Sequence, residues 1–180
     1  MVKTCIEQPS RSAGSTRNVA VSFADELELF DKGTAQSSTS TTIVLAESAS
    51  ETDDQYNTHR VYLTGGTGEG QSRVITDYVG STRTATVAEW GTTPDSTTTY
   101  EVREILTGTP TVTASTVTLS NKHVSTETVW LKDGTRVIAG QAVQYAITGG
   151  TAGANEVTVT ATTTSTPAQT LVRIAIDTVE

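Results

Sequence analysis

The chain of 180 residues contains a single cysteine, Cys5, two histidines and two phenylalanines, and aromatics make up only 5% of it. One thiol cannot close an internal disulfide, and it excludes a Cys-based zinc site or an iron–sulfur cluster. Cys5 lies in the short run Val2-Lys3-Thr4-Cys5-Ile6 and reads as a small apolar packing residue, with pairing between chains as the alternative. Basic residues are also few: 12 Lys and Arg stand against 20 Asp and Glu, a net charge of -8. Such a surface offers no cluster of cations to release counterions from a phosphate backbone, so no direct nucleic-acid partner is expected. It gives no attraction to anionic membranes either. No apolar run is long enough to span a bilayer and no signal-peptide hydrophobic region opens the chain, so a soluble protein made and kept in the cytoplasm is expected.

Helical periodicity is nearly absent; only Ala24 to Phe30 would admit a turn or two of amphipathic helix, and it would serve equally as strand. What is plentiful is threonine, roughly a fifth of the chain against far lower ordinary usage. Threonine and valine are β-branched and suit a pleated, half-buried surface. Period-two alternation recurs at Val19-Val21-Phe23, Ile43-Leu45, Val61-Leu63, Val74 to Tyr78, Val117-Leu119 and Val157-Val159-Ala161. The most apolar run is Leu171 to Ile176, and Asp133-Gly134 between Val129-Trp130-Leu131 and Val137-Ile138 is the clearest hairpin signal. Many short strands at even spacing predict an all-β fold, a sandwich or a barrel.

Residues 34–103 are more polar and hold five strand candidates, at 41–46, 59–64, 71–79, 83–88 and 98–104. A strand at 17–23 has no neighbour of its own there, and an isolated strand leaves its backbone unpaired. The expected organisation is therefore a discontinuous sandwich of residues 1–33 and 104–180 carrying an inserted small β domain at 34–103. Two consecutive domains are the alternative.

No motif carries catalysis. Gly65 to Ser72 superficially resembles a phosphate loop, but Gln71 stands where the lysine is needed, Glu69 adds negative charge, and strand follows rather than helix. His59 and His123 fall in different portions and read as separate surface or rim residues rather than a catalytic pair. The acids Glu47, Glu51, Asp53 and Asp54 match no EF-hand spacing and read as an exposed loop. No catalytic residue, cofactor or metal ion is expected. Of the aromatics, Trp130 reads as core. Trp90, on a turn before Gly91, reads as a surface candidate with Tyr62 and Tyr78, and a glycan-stacking platform would require their exposure.

Two resemblances extend this reading. Thr41 to Leu45, Thr52-Asp53-Asp54-Gln55-Tyr56, Gly66 to Tyr78, Thr84 to Val87, Trp90 and Thr93 to Tyr100 together resemble a small β module of tailed-phage virion proteins. Ile6 to Pro9, Arg17 to Phe23, Leu106 to Pro110, Leu119 to Lys122, Ala142 to Tyr145, Thr148 to Gly153 and Pro167 to Thr170 resemble short Ig-like phage proteins of the fibre–tail adaptor kind, in which the outer portions run together without the middle module. The resemblance implies an Ig-like β-sandwich with an inserted module, a non-enzymatic virion component assembled in the bacterial cytoplasm. It implies a position at the head–tail neck or tail, with capsid decoration or host-glycan attachment as alternatives. Implied partners are other virion subunits (capsid, neck or tail) and further copies of the chain, a homo-oligomer on a symmetric particle. Cys5, Ile6, Pro9, Arg11 and Arg17 would belong to an N-terminal assembly arm.

Overall fold

A computed structural model describes residues 3–7, 12, 14–131 and 133–180; for residues 3–7 it describes the backbone alone. The fold is all-β. The chain opens with β1 (Lys3–Glu7) and β2 (Arg17–Ser22). Next come β3 (Leu29–Thr34), β4 (Ser37–Thr39), β5 (Thr42–Val44), β6 (Arg60–Gly65), β7 (Ser72–Val79), β8 (Thr84–Val87) and β9 (Thr99–Arg103). The rest supplies β10 (Leu106–Ala114), β11 (Thr118–Val124), β12 (Val129–Trp130), β13 (Arg136–Val137), β14 (Ala142–Thr148), β15 (Gly153–Thr163) and β16 (Thr170–Val179). The stretch between β2 and β3, open to helix or strand on sequence grounds, is a turn closed by Glu26 N–H on the Phe23 carbonyl at 2.9 Å. Two compact units form, one from residues 1–27 and 106–180 and the other from 28–105. A boundary at 33/34 would cut β3, which pairs along Leu29–Thr34 with β9; the division falls instead where Leu27 ends one core and Glu28 joins the other unit.

In the first unit, a four-stranded sheet in the order β1-β16-β15-β10 accompanies a three-stranded sheet β11-β14-β2. Alternation explains their common core. Val19 and Val21 of β2, Val143, Tyr145 and Ile147 of β14, and Val112, Val157, Val159, Ala161 and Ala175 of the other sheet are buried in one cluster with Phe23, Leu27 and Leu106. That is a sandwich in which apolar faces of two sheets meet. Polar clamps fasten it: Arg17 of β2 pairs with the buried Asp177 of β16, joining the sheets. Arg173 of β16, 5% exposed, bonds Asp25 and Glu26 and lies 5.3 Å from the centre of the Phe23 ring. Asn155 donates to the carbonyls of Thr151, Gly153 and Asp177 and accepts from the Thr116 hydroxyl at 2.6 Å.

The second unit is a single sheet in the order β3-β9-β6-β7-β8-β5-β4. Its two outer strands are consecutive segments separated only by Ala35 and Gln36. Ala35 N–H bonds the Thr98 carbonyl beside β9, and Gln36 N–H bonds the Val44 carbonyl of β5, both at 2.9 Å. One bent strand thus borders both ends of the sheet and closes it into a barrel, removing the unpaired edges an open sheet would carry. Ile43, Val61, Leu63, Ile75, Ala85, Val87, Tyr100 and Val102 fill the interior at period two. Entry and exit meet at one point: Glu104 N–H bonds the Glu28 carbonyl at 2.9 Å, and Glu28 N–H reaches the Glu104 carboxylate at 3.3 Å. The Gly65–Ser72 segment is a hairpin connection between β6 and β7. Gly66 has φ +76°, and a Cβ there would meet the Thr97 carbonyl oxygen at 2.3 Å. Gln71 clamps this loop to the next turn, donating to the Thr92 carbonyl at 2.8 Å and accepting from Gly91 N–H at 2.7 Å.

Candidate interaction surface

The surface feature that stands out begins at the Asp133-Gly134 hairpin. β12 and β13 pair only Val129 with Val137 and Trp130 with Arg136. Alternation sends Val137 inward, 1% exposed, and leaves Trp130 outward, 68% exposed. The turn is tightly built: Leu131 N–H bonds the Thr135 carbonyl at 2.9 Å, Gly134 N–H the Leu131 carbonyl at 3.0 Å, and Thr135 N–H the Asp133 carboxylate at 2.8 Å. Those bonds from Thr135 hold the Asp133 carboxyl below the ordinary carboxylate range. An indole is thus presented on a preorganised turn with a guanidinium opposite it. The expectation that Trp130 belongs to the core is corrected: a two-pair hairpin has no second sheet over its outer face.

A second feature lies on the three-stranded sheet. Between Ser120 and His123 the β11–β14 register slips by one residue, and Asn121 takes φ +51°. The bulge turns Asn121 and His123 toward Asn18 and Gln144, around an open cavity of about 500 Å³ also lined by Lys122 and Tyr145. Three of its six lining side chains are amides (Asn18, Asn121 and Gln144), with the His123 imidazole beside them. A third feature is a shallower cavity of about 270 Å³ beside it, with Val112, Ala114, Val117 and Leu119 as its apolar floor and Thr113 and Lys122 at its rim. Lys122 Nζ reaches across from β11 to donate to the Val112 carbonyl of β10 at 2.7 Å.

The aromatics singled out as surface contacts are placed elsewhere. Trp90 is 4% exposed, Tyr62 3% and Tyr78 1%. The turn at 88–91 folds inward, with Trp90 N–H on the Ser40 carbonyl at 2.9 Å, the indole N–H toward the Thr42 carbonyl at 3.4 Å and Arg73 over the ring at 5.4 Å. Tyr78 packs edge-on against Tyr56 at 4.6 Å and donates to the Ser50 carbonyl at 2.6 Å. A barrel with so few phenylalanines fills its interior with Tyr56, Tyr78, Trp90 and Tyr100, whereas Tyr62, buried as well, alternates to the other face of β6 from Val61 and Leu63. Burial pushes the Tyr78 hydroxyl up to about 12 and raises those of Tyr62, Tyr56 and Tyr100 as well. No glycan platform is built from Trp90, Tyr62 and Tyr78.

Of the arm residues, Pro9 and Arg11 lie outside the described residues. Cys5 and Ile6 belong to β1, which runs parallel to β16 on the sheet edge. Cys5 pairs with Ala175, and the register shifts across Ile6. Arg17 is part of β2 and its guanidinium is engaged with Asp177.

His59 is 7% exposed rather than on the surface, packed on Phe30 at 4.1 Å with Nδ1 donating to the Asn57 carbonyl. His123 is exposed and makes the equivalent bond to the Asn121 carbonyl at 2.8 Å. The two belong to different units. Among the described residues no group of three or more His, Cys, Asp or Glu is placed to hold a metal ion, and no helix is long and apolar enough to cross a membrane. Asp53, from the acidic loop, accepts Gly80 N–H at 2.8 Å, and Asp54 accepts from the Asn57 amide at 2.6 Å. Compared with known proteins, the chain matches no family model, no curated protein and no solved structure.

Proposed function

We propose that this chain is a non-enzymatic structural component of a tailed-phage virion. In this reading an Ig-like sandwich is mounted on the particle at the head–tail neck or tail, and residues 28–105 are an inserted module. The observation that carries the proposal is the organisation of the chain. A self-closed barrel whose two ends are bonded to each other through Glu28 and Glu104 interrupts a sandwich that uses both flanking segments in one core. A closed module with a single point of attachment can be carried without disturbing its host. The sequence resemblance to fibre–tail adaptor proteins and to virion β modules supplies the setting. The threonine-rich, net-negative surface fits a protein that works by contact and avoids unspecific association.

The test is cryo-electron microscopy of intact particles with and without the chain. Density confined to a ring at one vertex is the expected outcome. Copies distributed over the capsid lattice would make it a decoration protein, and absence from purified particles would remove the virion reading altogether.

A further inference from the structure

We infer that the three-stranded sheet of the sandwich takes a fourth strand along the free side of β2, donated as an extended segment by a neighbouring protein of the assembly. The inference deepens the reading of the chain as an assembly component, on which it rests, and names the form in which its neighbour binds.

The hydrogen-bond parity of β2 carries it. Phe23 N–H bonds the Gln141 carbonyl at 2.8 Å, in the same register that pairs Val21 with Val143 and Val19 with Tyr145. In an antiparallel ladder such residues turn both backbone groups toward the partner, and the residues between them turn both away. The N–H and C=O groups of Asn18, Ala20 and Ser22 therefore point away from β14, along an edge with no further strand. Among the described residues no backbone hydrogen bond reaches them from that side. Ser22 is 9% exposed, a poor place for unpaired backbone groups to find water.

The other three edges of the sandwich are broken. β1 has a register shift between Cys5 and Glu7. β10 has one between Thr107 and Thr111 and contains Pro110, and β11 has one between Ser120 and His123 and carries Lys122. Irregularities, prolines and lysines of this kind discourage pairing with another chain. β2 pairs with β14 through six consecutive residues without a shift, and Asn18 to Ser22 include neither charge nor proline. Of the four edges it is the one left fit for pairing.

Layering fixes how much can bind. Arg17 of β2 pairs with Asp177 of β16, and Arg173 of β16 lies against Phe23 just past β2, so β2 lies across from β16. β1 is the outer neighbour of β16, and among the described residues no strand of the second sheet lies across from it. Four strands thus face three, leaving beside β2 and over β1 a space one strand wide, about 4.8 Å. A second sandwich cannot enter edge-on, because its own four-stranded sheet would meet β1. A single extended segment can, and it makes the two sheets equal. Its residues opposite Val19 and Val21 lie on the core face and are apolar; those opposite Asn18, Ala20 and Ser22 lie on the outer face and are small or polar.

The experiment supplies the strand within the full chain. The probe is the sequence of β14, Ala142–Thr148, which already pairs with β2 on its other side. It is fused after Glu180 through a flexible Gly/Ser linker of about 12 residues, which spans about 20 Å, the length of β2. Amide exchange and Tm are measured with and without the fusion, each also with Ala20→Pro. In the unfused chain the Val19 and Val21 amides are expected to exchange slowly and those of Asn18 and Ala20 fast. The fusion should slow Asn18 and Ala20 by about tenfold or more and raise the Tm. Ala20→Pro removes an N–H that β14 does not use and should abolish that gain. Should Ala20→Pro fail to fold, exchange in the unsubstituted chains still decides.

Asn18 and Ala20 amides that are already slow in the unfused monomer, or that the fusion leaves unchanged, overturn the inference. Both outcomes concern the isolated chain, so the position on the particle, read by microscopy, stands or falls separately.

Discussion

Tyr100 gives the sharpest test of how the barrel holds together. Its ring is 1% exposed on β9, and its hydroxyl does two jobs. It donates to Asp31 Oδ2 of β3 at 2.6 Å and accepts Ala46 N–H, just past β5, at 2.9 Å. Asp31 lies on β3, the first half of the bent closing strand, and Ala46 follows β5, the strand that pairs with its second half. Tyr100→Phe removes one oxygen and leaves the packing in place. A lost hydrogen bond to a charged group costs about 1.5–3 kcal/mol, and an orphaned backbone N–H about 1–3 kcal/mol where no water replaces the partner. Asp31 and Ala46 are only half-buried, so water recovers part of each, and the expected net loss is about 2–3 kcal/mol.

Tyr78→Phe is the control. That hydroxyl donates to the Ser50 carbonyl at 2.6 Å, and a carbonyl with a second lone pair tolerates the loss at about 1 kcal/mol. Trp90 lies in the same core and reports barrel unfolding by fluorescence, while the exposed Trp130 changes little. With a urea slope of about 1 kcal/mol per molar, Tyr100→Phe should lower the midpoint by about 2 M and Tyr78→Phe by about 1 M. Equal shifts, or a larger one for Tyr78→Phe, would refute the view that Tyr100 ties the closing strand.

The other predictions concern pH and the remaining polar clamps. Tyr78 is raised from the ordinary 10 to about 12, so its neutral form is favoured in the fold. That stability is fully present below pH 10 and lost as pH rises from 10 through about 12, and tyrosinate absorbance should appear together with the Trp90 fluorescence change rather than before it. Arg173→Ala should destabilise the sandwich by about 3 kcal/mol in chemical denaturation, because Glu26 is left unpaired in a largely buried place while the more exposed Asp25 regains water. Combining it with Glu26→Gln should restore part of that loss, and strict additivity of the two would contradict a coupled pair. Gly66→Ala should cost several-fold more stability than Gly134→Ala, since both have positive φ but only Gly66 faces backbone.

The strands were legible where side-chain parity and turn chemistry agree. Candidates at 59–64, 71–79 and 83–88 correspond to Arg60–Gly65, Ser72–Val79 and Thr84–Val87, and Asp133-Gly134 does turn a hairpin. Parity also held the answer for Trp130, whose cross-strand partner is Arg136; an arginine directly opposite marks an outward face. Trp90 was not legible. It follows exposed Ala88 and Glu89 on an irregular turn, where no alternation operates and only the return of Trp90 N–H to Ser40 decides its side. The unit boundary was missed for a related reason. Leu29 and Phe30 look continuous with the apolar run before them, whereas the change of unit is marked by two bonds between Glu28 and Glu104, one between backbones and one from Glu28 N–H to the Glu104 carboxylate, residues that carry no hydrophobic signal.

The division of the two tryptophans follows from the scarcity of phenylalanine. With two Phe in 180 residues, the barrel fills its centre with Trp90 and tyrosines, and each ring brings a polar atom that must be met inside. Ser50, Thr42, Asp31 and Ala46 meet them. Those bonds make the interior specific but use up the aromatics that could otherwise have faced a ligand. The sandwich fills its core chiefly with Val, Ile, Leu and Ala, which need no such partners. That leaves Trp130 free to stand outside, so any recognition by aromatic stacking in this chain is expected to involve the sandwich and its hairpin rather than the barrel.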